Sequence, residues 1–224
     1  MTSSAPGAAS NPVRRLILLR HGQTVYNADS RMQGQLDTDL SELGRTQAKS
    51  AGPVIADRAP LTIVSSDLKR AYFTAVAVGD AAGLPVLTDT RLRETHLGDW
   101  QGLTHSDVDE QTPGLRASWR ADATLAPPGG ESRIDVARRS VPVVTELLAA
   151  LPDWAERPVV LVAHGGLIAA LTAALLDLPI DRWAILGGLG NTSWVQLSGH
   201  GNPASIEWRL DVWNASASVA NDVL

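Results

Sequence analysis

The chain has 224 residues, a hydrophobic fraction of 44% and a formal net charge of -5 at pH 7, which is typical of an acidic globular protein of one domain. The negative net charge argues against a general affinity for nucleic acid or anionic membranes, so any anion site has to be local. The sequence contains no cysteine, which excludes disulfide bonds, thiolate metal sites and cysteine nucleophiles.

The first twelve residues are small and polar, without the charged and apolar segments of a signal peptide. We expect residues 1–12 to be a disordered leader, residues 13–224 to form a single domain, and the protein to be cytoplasmic. The apolar run at residues 167–178 is interrupted by polar residues and is too short for a membrane span, so it predicts a buried helix. The Asn-x-Ser sequons at Asn191 and Asn214 are accordingly expected to be chance matches.

Short apolar runs alternate with helical patterns along the chain, as in α/β folds. The elements predicted in the first half are a strand at 15–19, a helix from Ser41 to about 58, a strand at 62–66, a helix at 68–82 and a strand at 84–89. Those predicted in the second half are a helix from Ser132 to about 151, a strand at 158–163, the apolar helix, and a terminal pair of strands at 193–198 and 205–210. We therefore predict a three-layer α/β/α architecture with a mostly parallel central sheet.

Two further features of the sequence are a predicted helix cap and a segment rich in Pro and Gly. Ser132 precedes a helical run and is followed three residues later by Asp135, so the pair predicts a capping box at the start of that helix. Residues 112–131 hold most of the Pro and Gly of the middle of the chain, which indicates an insertion or lid covering about residues 104–131.

Three of the predicted strands are followed closely by an arginine or a histidine. Arg20 and His21 follow the first strand, Arg70 lies one helical turn beyond the second, and His164 follows the strand at 158–163. Ligands in open parallel sheets bind beyond the carboxyl ends of the strands, so these side chains are expected to share one pocket. Two guanidiniums and two imidazoles suit a phosphoryl group, because the rigid fork of arginine donors matches its oxygens. Glycines beside the histidines would let the backbone approach such a ligand: Gly22, Gly165 and Gly166.

A pocket with this much positive charge disfavours protonation of an imidazole, which would keep one histidine neutral and nucleophilic. Attack on phosphorus also needs an acid that protonates the leaving alkoxide. Glu94 is the best candidate, and the same group could later activate water. The alternative for Glu94 is a surface ion pair with Arg91 or Arg93.

Six stretches of the chain resemble, in order and spacing, the successive motifs of the histidine phosphatase superfamily, which also contains the cofactor-dependent phosphoglycerate mutases. The stretches are "LRHGQTVYN", "MQGQLDTDLSELGRTQA", "VSSDLKRAYFTA", "LRETHLGDWQG", "GGES" and "LVAHGG". The resemblance implies a phosphoglycerate mutase-like fold and a mechanism without a metal or other cofactor. It implies the following roles: His21 as the transiently phosphorylated residue, Glu94 as proton donor, Arg20, Arg70 and His164 as the phosphate pocket, and Asn27 and Gln33 as residues lining it.

The resemblance favours a phosphatase over a mutase, because "QGQLDTDL" and "ETHLGDWQG" are of the phosphatase type. It implies a small phosphorylated sugar acid as substrate, without a nucleic-acid or membrane partner. A broad-specificity phosphatase and a phosphoglycerate mutase stay open as alternatives, as does assembly into a homodimer. A catalytically dead phosphoester-binding module is disfavoured, because such a protein would be expected to lack His21, Glu94 or an arginine, and none is missing.

Side chains in and beside the insertion could recognise the leaving group. Three arginines are candidates to grip a substrate carboxylate, with a solvated surface role as the alternative: Arg116, Arg120 and Arg133. Two tryptophans could stack on a sugar ring, with core packing as the commoner role: Trp100 and Trp119. The other histidines lack a partner pattern and are expected to be solvated or to pack: His96, His105 and His200.

Overall fold

The computed structural model describes residues 13–155 and 157–217, so the leader expected at residues 1–12 lies outside the described residues. The strands are β1 (Arg14–Arg20), β2 (Thr62–Ser65), β3 (Val86–Thr88), β4 (Val159–Ala163), β5 (Trp194–His200) and β6 (Glu207–Ala215). The α-helices are α1 (Val25–Ala28), α2 (Glu42–Ala56), α3 (Lys69–Ala82), α4 (His105–Gln111), α5 (Leu115–Ala121), α6 (Arg133–Ala150) and α7 (Gly165–Leu175). Each predicted strand is present, and β6 runs further than its hydrophobic pattern indicated.

The strands form one sheet in the order β3-β2-β4-β1-β5-β6. The first four of these pair in parallel, whereas β5 and β6 pair antiparallel as the predicted terminal hairpin. In the central pair of strands Leu16 lies opposite Val159 and Arg20 lies opposite Ala163. The carboxyl ends of β1 and β4 therefore finish at the same level, and the residues that follow them begin side by side.

The sheet is covered on both faces, so the predicted three-layer α/β/α architecture is confirmed. Leu16 and Leu18 belong to a core cluster that includes residues of α6 and α7, while Ile17 and Leu19 belong to a cluster with residues of α2 and α3. This alternation follows from the two-residue period of a strand. All four side chains are buried, as expected for a central parallel strand.

The helix starts predicted from serine are confirmed. The Ser41 hydroxyl accepts a hydrogen bond from the Gly44 N–H at 3.0 Å, so α2 begins at the next residue after Ser41. At the start of α6 the Asp135 N–H donates to the Ser132 hydroxyl at 3.2 Å, and the Ser132 N–H donates back to the Asp135 carboxylate at 3.1 Å. This reciprocal pair is the capping box read from the sequence.

The segment between Glu94 and α6 contains more regular structure than its Pro and Gly content indicated. The helix α5 lies inside the stretch that was predicted to be an insertion or lid, for which no helix was predicted. Leu115 and Trp119 are one helical turn apart and pack against a small core cluster formed around Trp100. The sequence pattern missed this helix because it has only seven residues and lies among Pro and Gly residues, and burial of its apolar face stabilises so short a helix. Within the described residues, no helix combines the length and the apolar character needed to cross a bilayer.

Candidate active site

His21 comes directly after β1 and is buried, with only 3% of its surface exposed. Its Nδ1 atom lies 2.7 Å from the Gly22 carbonyl oxygen. Because a carbonyl oxygen only accepts hydrogen bonds, Nδ1 carries the hydrogen and the Nε2 atom of the neutral ring keeps its lone pair. The loop geometry thus selects the tautomer that a nucleophilic Nε2 requires.

The pKa of His21 is held well below its ordinary value, first by burial and then by the charges of Arg70 and Arg20. Burial and the Arg70 charge also hold the pKa of His164 well below its ordinary value. The two rings are in contact, with centroids 5.1 Å apart. Both imidazoles are therefore neutral at neutral pH, as the sequence analysis expected for a histidine in this pocket.

Arg70 lies in the first turn of α3 and its guanidinium is locked in place by three hydrogen bonds. It donates to the carbonyl oxygens of Gly34 and Leu36, each at 2.7 Å, and to His164 Nδ1 at 3.2 Å. Since Nδ1 of His164 accepts, its Nε2 carries the hydrogen and can donate to the Ser66 hydroxyl at 2.9 Å. Burial lowers the pKa of Arg70 to about 10, so the side chain still carries its charge at neutral pH.

Arg20 is the last residue of β1, and its guanidinium includes a buried donor that no described residue satisfies. One terminal nitrogen donates to the Leu189 carbonyl oxygen, but Nε is buried and has no hydrogen-bond partner among the described residues. Burial lowers the pKa of Arg20, while the charge of Glu94 opposes the shift. A buried cationic donor without an acceptor is costly, and an anion bound here would satisfy it.

The Glu94 carboxylate lies at the amino end of α7, where it accepts hydrogen bonds from the backbone. The donors are the N–H groups of Gly166 at 3.0 Å, Leu167 at 2.9 Å and Thr95 at 2.8 Å. Glu94 therefore does not form the surface ion pair that was its alternative reading. Arg91 pairs with Asp89 and Glu146, and Arg93 pairs with Asp67: these ion pairs occupy the two neighbouring arginines instead.

These side chains line a cavity of about 180 Å³ that also receives Trp119, Leu97, Arg31 and the residues expected to line a phosphate site. The cavity-lining residues predicted from the sequence are Arg20, His21, Asn27, Gln33, Arg70 and Glu94. The ring of His164 lies behind His21 and is fully buried. Gly165 does not line this cavity; it lies beside Arg20, and a Cβ added to it would be 3.5 Å from Arg20 Nε.

Several residues of the site were not singled out from the sequence. Ser66 hydrogen-bonds His164, and the Asn191 side chain donates to the His21 carbonyl oxygen at 3.1 Å. The position of Ser66 at the carboxyl end of β2 was a usable signal, because the rule that located Arg20 and His164 applies to it equally. Asn191 approaches from the loop before β5, about 170 residues away in sequence, and no local pattern indicates that contact. In the described part of the chain, no three His, Asp or Glu side chains lie close enough together to hold a metal ion.

Residues 16–216 match the family model of the histidine phosphatase superfamily (branch 1). The chain belongs to the histidine phosphatase superfamily. Its fold is the α/β fold of this superfamily, and it is a phosphatase. The resemblance drawn from the six sequence motifs is therefore confirmed.

Close relatives within the histidine phosphatase superfamily carry a more specific name. A glucosyl-3-phosphoglycerate phosphatase of Mycolicibacterium vanbaalenii is 68% identical over 223 residues, which cover 95% of this chain and 99% of the relative. A solved structure of a mycobacterial glucosyl-3-phosphoglycerate phosphatase, in complexes with VO3, has a TM-score of 0.88 at 69% identity and covers 91% of this chain and all of that one. A complex of the mycobacterial enzyme with inorganic phosphate also has a TM-score of 0.88, at 66% identity, with 92% of this chain and all of that chain covered.

Proposed function

We propose that this chain hydrolyses glucosyl-3-phosphoglycerate to glucosylglycerate and inorganic phosphate through a phosphohistidine at His21. The observation that carries the proposal is the lone pair on His21 Nε2 in a cavity shared with Arg20, Arg70 and Glu94. The substrate is inferred from relatives of that name, which are 66 to 69% identical over nearly the whole chain. Resemblance to these relatives also implies that the product is a precursor in polymethylated glucose polysaccharide biosynthesis.

The first half-reaction transfers the phosphoryl group to the enzyme. His21 Nε2 attacks phosphorus and forms an N–P bond, while the bond from phosphorus to the C3 oxygen of the glycerate breaks and its electron pair stays on that oxygen. Glu94 in its protonated form gives the oxygen a proton, so glucosylglycerate leaves with a neutral hydroxyl group. Arg20 and Arg70 neutralise the negative charge on the phosphoryl oxygens. Metal ions have this role in nucleotide-dependent phosphoryl transfer.

The second half-reaction releases the phosphate. The Glu94 carboxylate takes a proton from a water molecule whose oxygen attacks the phosphohistidine. The N–P bond breaks, its electron pair returns to Nε2 of His21, and inorganic phosphate leaves. Glu94 ends protonated and His21 neutral, which are the states that the next cycle requires.

Other members of the site take supporting roles in this proposal. His164 orients Arg70 through the 3.2 Å hydrogen bond between them. The carbonyl oxygen of the Gln33 side chain accepts from the hydroxyls of Thr24 and Thr38, which leaves its NH2 group to donate to a phosphate oxygen. Asn27 lines the cavity next to it, and Gly165 lies beside Arg20 in the wall of the adjoining cavity.

The proposal is tested by phosphate release without added metal, with glucosyl-3-phosphoglycerate, 3-phosphoglycerate and p-nitrophenyl phosphate as substrates. We expect kcat/KM to be highest, by several orders of magnitude, for the glucosylated ester, because remote contacts with the leaving group contribute to transition-state binding. His21→Ala should be inactive on all three, whereas the control His105→Ala, an exposed histidine outside the cavity, should keep its activity. Equal hydrolysis of the three esters would indicate a broad-specificity phosphatase, and conversion of 3-phosphoglycerate to its 2-isomer would indicate a mutase.

A cytoplasmic homodimer is the assembly we propose for the working enzyme. Support comes from β6, the longer of the two edge strands of the sheet, because strand edges favour association with a second copy. Sedimentation velocity over a range of protein concentrations would measure the mass, and a constant monomer mass would contradict the dimer.

A further inference from the structure

A second cavity, of about 340 Å³, adjoins the one that contains His21. The two cavities share three wall residues, Thr95, Trp119 and Gly166. Its remaining wall includes Arg120 and Arg133, which come from the end of α5 and the start of α6. A phosphomonoester that binds beside His21 and places its leaving group in the adjoining cavity would therefore meet two guanidiniums.

Neither of these two arginines forms an ion pair within the part of the chain that the structure describes. Among residues 13–155 and 157–217, no carboxylate lies within 4.0 Å of the guanidinium nitrogens of Arg120 or Arg133. Arg116, also on α5, is different because it is ion-paired with Asp109. Of the three arginines that the sequence offered as carboxylate ligands, the structure leaves two with their charge available.

The environment of Arg133 makes an anion favourable there. Its side chain is partly buried, and one of its terminal nitrogens donates to the Arg120 carbonyl oxygen at 2.9 Å. Burial first, and the Arg120 charge second, lower its pKa. Two like charges without a counter-ion repel each other, and a bound carboxylate would relieve that repulsion.

Trp119 adds a neutral donor to the same wall. Its ring packs edge-on against Trp100 with centroids 5.6 Å apart, and the Arg133 guanidinium lies 5.8 Å from its ring centroid. The Trp119 indole N–H is buried and has no hydrogen-bond partner among the described residues. Buried indole N–H groups usually have a partner, so this one is available to an oxygen of a ligand.

We propose that the second cavity is a carboxylate site for the leaving group, in which Arg120 and Arg133 bind a carboxylate attached two carbons from the phosphoester oxygen. The inference deepens the proposed function, on which it rests, because a 3-phosphoglycerate unit has its carboxylate at that distance. Trp119 donates to an oxygen of the same leaving group. The site makes the enzyme selective for phosphorylated hydroxy acids over phosphorylated polyols.

The experiment compares 3-phosphoglycerate with glycerol 3-phosphate, two esters that differ in having a carboxylate or a hydroxymethyl group at the same position. We expect the wild-type enzyme to prefer 3-phosphoglycerate in kcat/KM. Arg133→Met and Arg120→Met should each lower that preference roughly tenfold to a hundredfold, as expected for loss of a hydrogen bond to a charged group. Arg133→Lys should restore part of it. If turnover is too slow, the same preference is measured as competitive inhibition of p-nitrophenyl phosphate hydrolysis.

Arg138→Met is the matched control, because Arg138 is on α6, its side chain is 73% exposed, and it pairs with Asp135 outside both cavities. Its preference for 3-phosphoglycerate should equal that of the wild type. The proposal is overturned if the wild type does not discriminate between the two esters, or if Arg133→Met and Arg120→Met slow both esters equally. Neither ester contains glucose, so failure of glucosyl-3-phosphoglycerate as preferred substrate would be seen separately, in the assay of the three phosphoesters.

Discussion

The chemistry of His21 depends on which of its two ring nitrogens carries the hydrogen. The Gly22 carbonyl oxygen holds the hydrogen on Nδ1, and burial together with two guanidiniums keeps the ring neutral. The histidine is thus prepared for attack before any substrate binds, and no conformational change of its ring is needed. Glu94 is also held in place, by hydrogen bonds from three backbone N–H groups, and it lines the same cavity as His21.

Glu94→Gln separates the two halves of the proposed reaction. The leaving p-nitrophenolate needs no proton, so this variant should still transfer a phosphoryl group from p-nitrophenyl phosphate to His21. Breakdown of the phosphohistidine needs the base and should slow by about a hundredfold to ten-thousandfold. We expect rapid-mixing kinetics to show a burst of one p-nitrophenol per active site, followed by slow turnover.

The matched variant for that experiment is His21→Ala/Glu94→Gln, which should show no burst. The amide oxygen of the variant can still accept from the Leu167 and Thr95 N–H groups, whereas its NH2 group cannot accept from the Gly166 N–H, so we expect a modest loss of thermal stability of about 1 to 3 kcal/mol in both variants. A single, equally slow phase with p-nitrophenyl phosphate and with alkyl esters would show that Glu94 is not the proton donor.

Secondary-structure elements bring these residues together through close backbone contacts as well as through strand order. The first turn of α2 packs against the loop that carries His21 so tightly that only glycine fits on both sides. A Cβ on Gly44 would lie 1.9 Å from the Gln23 carbonyl oxygen, and a Cβ on Gly22 would lie 2.4 Å from the Gly44 carbonyl oxygen. Helix α2 therefore packs directly against the loop that carries His21 and holds that loop in position.

Gly44→Ala is a test of that packing. Helix propensity alone would favour alanine by about 1 kcal/mol, whereas overpacking against backbone atoms costs roughly 1 to 3 kcal/mol or more. At a 1.9 Å contact the cost of overpacking exceeds the gain in helix propensity. We therefore expect a lower free energy of unfolding in urea, and a lower kcat because the loop that carries His21 is displaced. Gly187→Ala, at a position where an added Cβ has no atom within 4 Å, is the stability control. A Gly44→Ala protein as stable and active as the wild type would contradict the close contact.

At the scale of the whole molecule, positive charge is concentrated inside an acidic protein. The net charge is -5, yet the two adjoining cavities contain the guanidiniums of Arg20, Arg70, Arg120 and Arg133. Such an arrangement attracts a small anion to one place without making the surface bind polyanions. Burial first, and this concentration of charge second, keep the imidazoles of His21 and His164 neutral, and these two groups link the stability of the fold to pH.

This linkage predicts that the protein loses stability as the pH falls from about 7.5 to 5.5. The folded-state pKa values of His21 and His164 are lowered, so below about pH 6.5 the unfolded chain binds two protons that the folded chain does not. The loss should be about 2 to 3 kcal/mol for the pair, measured as the free energy of unfolding in urea at each pH. Paired carboxylates such as Asp67 and Asp89, whose pKa values are lowered from their ordinary value by hydrogen bonds from arginine, contribute only at more acidic pH.

The double variant His21→Gln/His164→Gln isolates that contribution. Its free energy of unfolding should lose the 2 to 3 kcal/mol component over the same interval, while His105, which is present in both proteins, cancels in the comparison. A pH dependence that is identical in the wild type and the double variant would mean that the two imidazoles are not neutral and buried in the folded state.

Local sequence patterns were sufficient for the layers of the fold and for most members of the cavity. The continuous apolar run in β1, the caps at Ser41 and Ser132, and the polar residues that follow apolar strands are all short-range features of the sequence. The order of parallel strands then brings distant residues such as Arg20 and His164 to one edge. Helix α5 was missed because it has only seven residues and lies among Pro and Gly residues, and so short a helix depends on packing such as that of Trp119 on Trp100.

Three-dimensional packing alone decided the atomic details on which function depends. The tautomer of His21, the orientation of Arg70 by two carbonyl oxygens, and the approach of Asn191 from a distant loop each require knowing which atoms meet after folding. Packing also separated Arg116, which is neutralised by Asp109, from Arg120 and Arg133, which face the second cavity without a carboxylate among the described residues. Residue types and spacing set the reaction class, because side-chain chemistry is local. The recognition of the leaving group is set by contacts between segments far apart in the chain.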